Sequence, residues 1–139
     1  MTIERTGKPH RILVTGASGY VGGRLVPNLL DAGHEVVCLA RSPRKLERRE
    51  WARHERVRIV RGDVADAASV RDAAAGCRAT YYLVHSMEAA GHHYVERDRQ
   101  LARTFAGAVA DAGVERIVYL GGLGADRPRS LSMIRDDIP

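Results

Sequence analysis

Between Thr15 and Gly23 the chain reads Thr-Gly-Ala-Ser-Gly-Tyr-Val-Gly-Gly, which sets Gly16, Gly19 and Gly22 three residues apart. The preceding run, Arg11 to Thr15, is short and rich in aliphatic residues, and Val21, Leu25 and Leu29 after it recur every four residues. The glycines therefore fall between a predicted strand and a predicted helix. In that context each glycine has its own role. Gly16 permits the tight turn, Gly19 lets backbone approach a pyrophosphate, and Gly22 lets helix and strand pack closely. The unpaired N–H groups at the helix start then face anionic oxygens. The chemistry this predicts is capture of a dinucleotide by its phosphates.

The end of the second strand predicts which dinucleotide. Where such a turn binds NAD, an acidic residue about 20 positions on holds the adenosine ribose hydroxyls. Here that place reads Leu39-Ala40-Arg41-Ser42, and Glu35 lies at the wrong end of the strand. Arg41, with Arg44 and Lys45 one turn further, can hold a 2′-phosphate through charge-assisted contacts, so NADP(H) is expected over NAD(H); a merely solvated Arg41 is the alternative. After the third strand, Gly62-Asp63-Val64 offers a carboxylate and a backbone amide where an adenine would lie, unless Asp63 only begins the next turn. After the fourth, Val84 and His85 stand beside the expected nicotinamide ribose, with a hydrogen-bonded structural role as the alternative for His85. The adjacent His92 and His93 cannot share one helix face, and no partner set at ligand spacing accompanies them, so no metal site is expected.

The elements that must position these residues follow from periodicity. Strands are predicted over Arg11–Thr15, Glu35–Ala40, Val57–Val60, Thr80–Val84 and Ile117–Leu120, each a nearly continuous apolar run. Between them come a helix with Pro27 inside it and Gly33 as its stop, and a charged helix opened by Ser42 as N-cap and Pro43 at its first position. A short Ala-rich helix capped by Asp66 and a long helix within Glu88–Ala112 follow. On the last, Tyr94, Leu101, Phe105, Ala108 and Ala112 form a core-facing stripe. Pro27 is expected to loosen or kink its helix, because it removes the bond to the Gly23 carbonyl. Strand–helix alternation predicts an α/β, Rossmann-type, doubly wound parallel sheet of order 3-2-1-4-5 with helices on both faces. Residues 1–124 form one such domain, and residues 125–139 carry no clear period and read as a tail or unfinished element.

Composition bounds the remaining readings. The 139 residues, 45% hydrophobic and 28% charged, suit a single domain. No apolar run reaches the roughly 18 residues of a membrane helix, and residues 1–11 lack a secretory apolar core, so a cytoplasmic protein is expected. The net charge of +5 is almost all arginine. The basic stretch Arg41 to Arg61 is interrupted by glutamates and holds only Trp51 as an aromatic, which argues for a solvated face over nucleic-acid binding. Trp51 itself reads as a packing anchor. Cys38 and Cys77 read as reduced, buried thiols.

Taken together, TGASGYVGG (Thr15 to Gly23), LAR (Leu39 to Arg41), RGDV (Arg61 to Val64), YYLVHSM (Tyr81 to Met87) and AGVERIVYLGGLG (Ala112 to Gly124) resemble the short-chain dehydrogenase/reductase superfamily, in its extended and atypical NmrA-like branch. The resemblance implies that Gly16, Ser18, Gly19, Tyr20, Val21 and Gly22 line the pyrophosphate, and that Arg41 meets the 2′-phosphate. By the same resemblance Asp63 and Val64 meet the adenine, and Val84 and His85 the central ribose region. Catalytic members use a Tyr-x-x-x-Lys pair, in which lysine lowers the tyrosine pKa for proton exchange. None of the five tyrosines here has a lysine four residues later, and Gly121 or Gly122 stands where a Ser or Thr is expected. The substrate-binding half that normally follows strand five would lie beyond these residues, so the chain reads as a cofactor half or a shortened relative.

Two classes of function are therefore expected. One is the NADP(H)-binding domain of an atypical oxidoreductase or epimerase acting on a small molecule. The other is a non-catalytic NADP(H)-binding regulatory or structural module serving a protein partner, or else an inactive fragment. An uncovered fifth strand would also favour a homo-oligomer.

Overall fold

Five apolar runs become five parallel strands: β1 (Arg11–Thr15), β2 (Glu35–Ala40), β3 (Val57–Arg61), β4 (Ala79–Tyr82) and β5 (Arg116–Tyr119), in the spatial order β3-β2-β1-β4-β5. This computed structural model describes residues 8–84 and 93–119. Around the sheet stand α1 (Tyr20–Asp31), the single turn α2 (Arg44–Glu47), a 3-10 turn over Glu50–Arg53, α3 (Ala67–Ala74) and α4 (His93–Asp111). The order reverses between β1 and β4, so the chain leaves β1 and β4 toward opposite sides and opens a crevice at their carboxyl ends. Thr15 and Thr80, both fully buried, close that seam by donating their hydroxyls to the Tyr81 and Leu13 carbonyls at 3.2 and 3.0 Å.

Each face of the sheet has its own core. Under α1 and the α2 region lie Ile12, Val14, Val26, Leu29, Val36, Cys38, Leu46 and Trp51. Under α3 and α4 lie Leu13, Val37, Leu39, Val70, Cys77, Tyr82, Phe105 and Val109. Alternate residues of each strand thus feed opposite cores, the period-two geometry of a sheet buried on both sides. Tyr81 and Tyr82 follow the same rule, Tyr81 joining the α1 side and Tyr82, on the other, meeting Phe105 at a tilt and stacking on Tyr119.

Two local expectations change, those for the charged helix and for β4, and the carbonyl freed by Pro27 finds a partner. The charged helix expected after Ser42 is only one turn long: Pro43 takes the cap position without a side-chain cap bond, and Arg49 is extended before the 3-10 turn begins. Its two apolar residues explain this. Leu46 and Trp51 are five apart, about 140° around a helix, so one continuous helix cannot bury both, whereas the break lets both enter one core. Helix α1 runs through Pro27 as one element, and the Gly23 carbonyl that Pro27 leaves without a donor is taken by Trp51 Nε1–H at 3.1 Å. Strand β4 ends at Tyr82 rather than Val84. The Leu83 N–H still reaches the Thr15 carbonyl, but β1 turns away at Gly16 and leaves nothing further to pair with. Gly33 does end α1, with φ of +94° and the His34 N–H returning to the Leu29 carbonyl. Asp66 caps α3 through the Ala68 N–H. The tail, residues 125–139, lies outside the described residues. No helix among the described residues is long and apolar enough to cross a membrane.

Candidate functional site

Segments that follow the carboxyl ends of four strands converge on one cleft of about 770 Å³, within the range of small-molecule sites. After β1 come Gly16 to Gly19, at the end of β2 Leu39 to Ser42, after β3 Gly62 to Ala65, and after β4 Leu83 and Val84. Lys45 of α2 and Arg97 and Leu101 of α4 complete the wall. Among the described residues its charged side chains are three cations, Arg41, Lys45 and Arg97, against the one carboxylate of Asp63, which suits an anionic ligand.

The loop after β1 is shaped by close contacts. Gly16 has φ of +81°, and a Cβ there would lie 2.9 Å from the Leu83 carbonyl oxygen, so the turn can press directly on the backbone leaving β4. A Cβ on Gly22 would strike the Gly16 carbonyl oxygen and lie 2.7 Å from Ala17 Cα, which fixes how tightly α1 follows the turn. Gly19 is different: a Cβ there would touch only the Gly16 carbonyl oxygen, at 3.4 Å, so what it would fill is the cleft itself. That cradle fits a phosphate group brought against backbone. Gly19 also sits at the α1 cap position with no side-chain cap and no acid in the first turn, leaving the N–H groups of Tyr20 and Val21 without intrahelical acceptors.

The residues singled out from sequence are placed as follows. Gly16, Ser18, Gly19, Arg41, Asp63, Val64 and Val84 line the cleft. Tyr20, Val21 and Gly22 do not line it but follow directly on its wall at the start of α1; Arg24 covers the Tyr20 ring with its guanidinium 3.6 Å from the centroid. Asp63 does begin the next turn, accepting the Ala65 N–H at 3.0 Å through Oδ1. Arg44 stays outside the lining while Lys45 joins it. His85 and His92 lie outside the described residues.

Sequence reasoning missed Arg97 and Leu101, although their four-residue spacing puts both on one face of α4 and Leu101 belongs to the predicted stripe. It also missed the packing role of Gly62, where a Cβ would lie 2.7 Å from Leu39 Cδ1 and 2.9 Å from Ser69 Cβ. That constraint joins β2 to α3 and has no local signature.

Comparison with known proteins agrees with this geometry. Residues 16–138 match the sequence profile of a family described as NAD(P)H-binding. The chain is 33% identical over 133 residues to cinnamoyl-CoA reductase 1 of Oryza sativa subsp. japonica, covering 88% of this chain and 37% of the relative. It is 34% identical over 118 residues to a 3-beta-hydroxysteroid dehydrogenase of Mycolicibacterium neoaurum, covering 78% and 31%. It thus spans about a third of the length of these curated relatives. Among solved structures, an NADPH-dependent quinone oxidoreductase of Escherichia coli complexed with NADPH superposes with a TM-score of 0.72 at 21% identity, over 91% of this chain and 45% of that one.

Proposed function

This chain belongs to the NAD(P)H-binding family, within the short-chain dehydrogenase/reductase superfamily, and we propose that its cleft binds the dinucleotide in its phosphorylated form, NADP(H). One observation carries the preference: Arg41, Ser42 and Lys45 line the same cleft as the uncapped glycine loop, and no carboxylate stands at the end of β2. On this reading the N–H groups of Tyr20 and Val21, with Ser18 and Gly19, meet the pyrophosphate. Arg41 and Lys45 grip the 2′-phosphate, Asp63 and Val64 flank the adenine, and Val84 and His85 border the central ribose. Bound in this way, the nicotinamide supplies hydride transfer to or from a small-molecule substrate. The residues of this chain hold and orient it in a cationic cleft.

Gly121 or Gly122, standing where a Ser or Thr is expected, favours a second reading, a non-catalytic module that binds the cofactor and reports it to a partner. Turnover separates the two: an oxidoreductase consumes NADPH when offered carbonyl or quinone acceptors, and a sensor binds it unchanged. The cofactor preference has a direct test in Arg41→Asp. Titration followed by nicotinamide fluorescence should show NADPH binding weakened by about 2 kcal/mol or more with NADH spared, as expected on losing a charge-assisted contact. Equal loss of both would refute the 2′-phosphate assignment.

A further inference from the structure

The glycine loop has a second set of contacts on the side that does not line the cleft. Arg49 Nη2 donates to the Ser18 carbonyl at 3.0 Å, and its guanidinium lies against Gly23, where a Cβ would sit 3.0 Å from Cζ and Nη1. Neither Arg49 nor Gly23 lines the cleft. The Ser18–Gly19 peptide is thereby held at both ends, its carbonyl by Arg49 and its N–H by the Gly16 carbonyl at 3.1 Å. Fixing that peptide plane fixes the direction of the N–H groups that follow it at the start of α1. Gly23 points to the same contact. It lies inside α1 with no positive φ to require glycine, and a helix-interior glycine is unfavourable relative to alanine. The atoms a side chain would meet there are those of the Arg49 guanidinium.

Arg49 is exposed, and its backbone is anchored by its neighbours. It stands between Leu46 and Trp51, both buried in the α1-side core, and Trp51 binds the Gly23 carbonyl at 3.1 Å. The run from Arg41 to Trp51 therefore carries cleft-lining cations at its start and a clamp on the loop at its end.

We propose that Arg49 is a positioning residue for the cofactor's pyrophosphate: it holds the Ser18 carbonyl so that the loop and the first turn of α1 present their N–H groups to the cleft, without touching the ligand. This rests on the cofactor reading above. The test compares NADPH, NADH and adenosine 2′-monophosphate as ligands of the full chain, by calorimetric titration, with thermal melting of each unliganded variant. Arg49→Met should weaken NADPH and NADH by the same factor, about tenfold, and leave adenosine 2′-monophosphate unchanged, because that fragment lacks the pyrophosphate. Gly23→Ala, which crowds the guanidinium by a few tenths of an ångström while keeping its charge, should weaken both dinucleotides in the same direction but by less, with a melting temperature no lower than the parent's. Arg49→Lys, still able to donate to the Ser18 carbonyl, should recover most of the affinity. Parent-like dinucleotide binding in Arg49→Met, or tighter dinucleotide binding in Gly23→Ala, overturns the proposal. So does loss of all three ligands together with a lowered melting temperature, which would make Arg49 a stabilising residue only. A parent chain that binds none of the three overturns the cofactor reading itself, and the role of Arg49 with it.

Discussion

Gly19 and Gly22 belong to one motif but answer to different constraints. A methyl group at Gly22 meets the Gly16 carbonyl and Ala17 Cα, all backbone that cannot step aside, whereas at Gly19 it meets ordinary contact and then the open cleft. Gly22→Ala should therefore cost about 1–3 kcal/mol of stability through overpacking, read as a lower urea midpoint, and lose cofactor binding as a consequence. Gly19→Ala should stay within about 1 kcal/mol of the parent, the scale of a cap substitution, and yet lose NADPH binding. Finding both variants equally destabilised, or Gly19→Ala still binding, would show that the two glycines are not divided in this way. Arg41 belongs to the same scale. Its place at the end of β2 and its guanidinium chemistry could both be read from sequence, since they depend on position along the chain alone.

At the scale of elements, Pro27 and Trp51 act as a pair. Proline removes the donor for the Gly23 carbonyl, and an indole 24 positions later supplies one. Trp51→Phe keeps the ring in the core and leaves that acceptor unpaired, so it should cost about 1–2 kcal/mol in chemical denaturation. Pro27→Ala restores the backbone donor, and in the double variant the Trp51→Phe penalty should shrink; a penalty of the same size in both backgrounds would show that the indole bond is incidental. This pairing also shows what the sequence does and does not disclose. β1 and β2 have the bounds expected from sequence, because each is an unbroken apolar run closed by a turn signal. The glycine turn was legible for the same reason. The α2 region was not, since a charged stretch with only Leu46 and Trp51 to bury has no period, and its shape is set by the α1-side core it must reach. Arg97 entered the cleft unannounced because a charged residue at the edge of the stripe that Leu101 belongs to reads from sequence as solvated. His85 lies beyond the described residues and remains an expectation from sequence.

At the scale of the whole molecule, the two ends of the sheet are chemically distinct. The carboxyl end carries the cationic cleft. At the amino end His34 accepts the His10 N–H at 3.1 Å through Nδ1, which requires that nitrogen to be unprotonated, and Arg56 donates to the His34 carbonyl at 3.3 Å. Burial, with the neighbouring His10 and Arg56 charges, holds the His34 pKa below its usual 6.5. The unfolded chain therefore binds more protons than the folded one between that lowered value and 6.5, so stability is full above 6.5 and is lost as pH falls toward the folded pKa. Melting temperature should drop between about pH 7.5 and about pH 5.5, and His34→Asn, which can still accept from the His10 N–H but does not titrate, should drop less. Identical slopes would remove His34 from the account.

Doubly wound packing has one more consequence. Cys38 lies in the core under α1 and Cys77 in the core under α3 and α4, with the sheet between them. Burial pushes the first thiol up to about 12 and the second up to about 11, so near neutral pH both are protonated and poor nucleophiles while their layers stay closed. Opening either layer would return that layer's thiol to water and to ordinary reactivity. The chain thus carries an internal gauge on each side of its sheet, able to report which half of the sandwich loosens first.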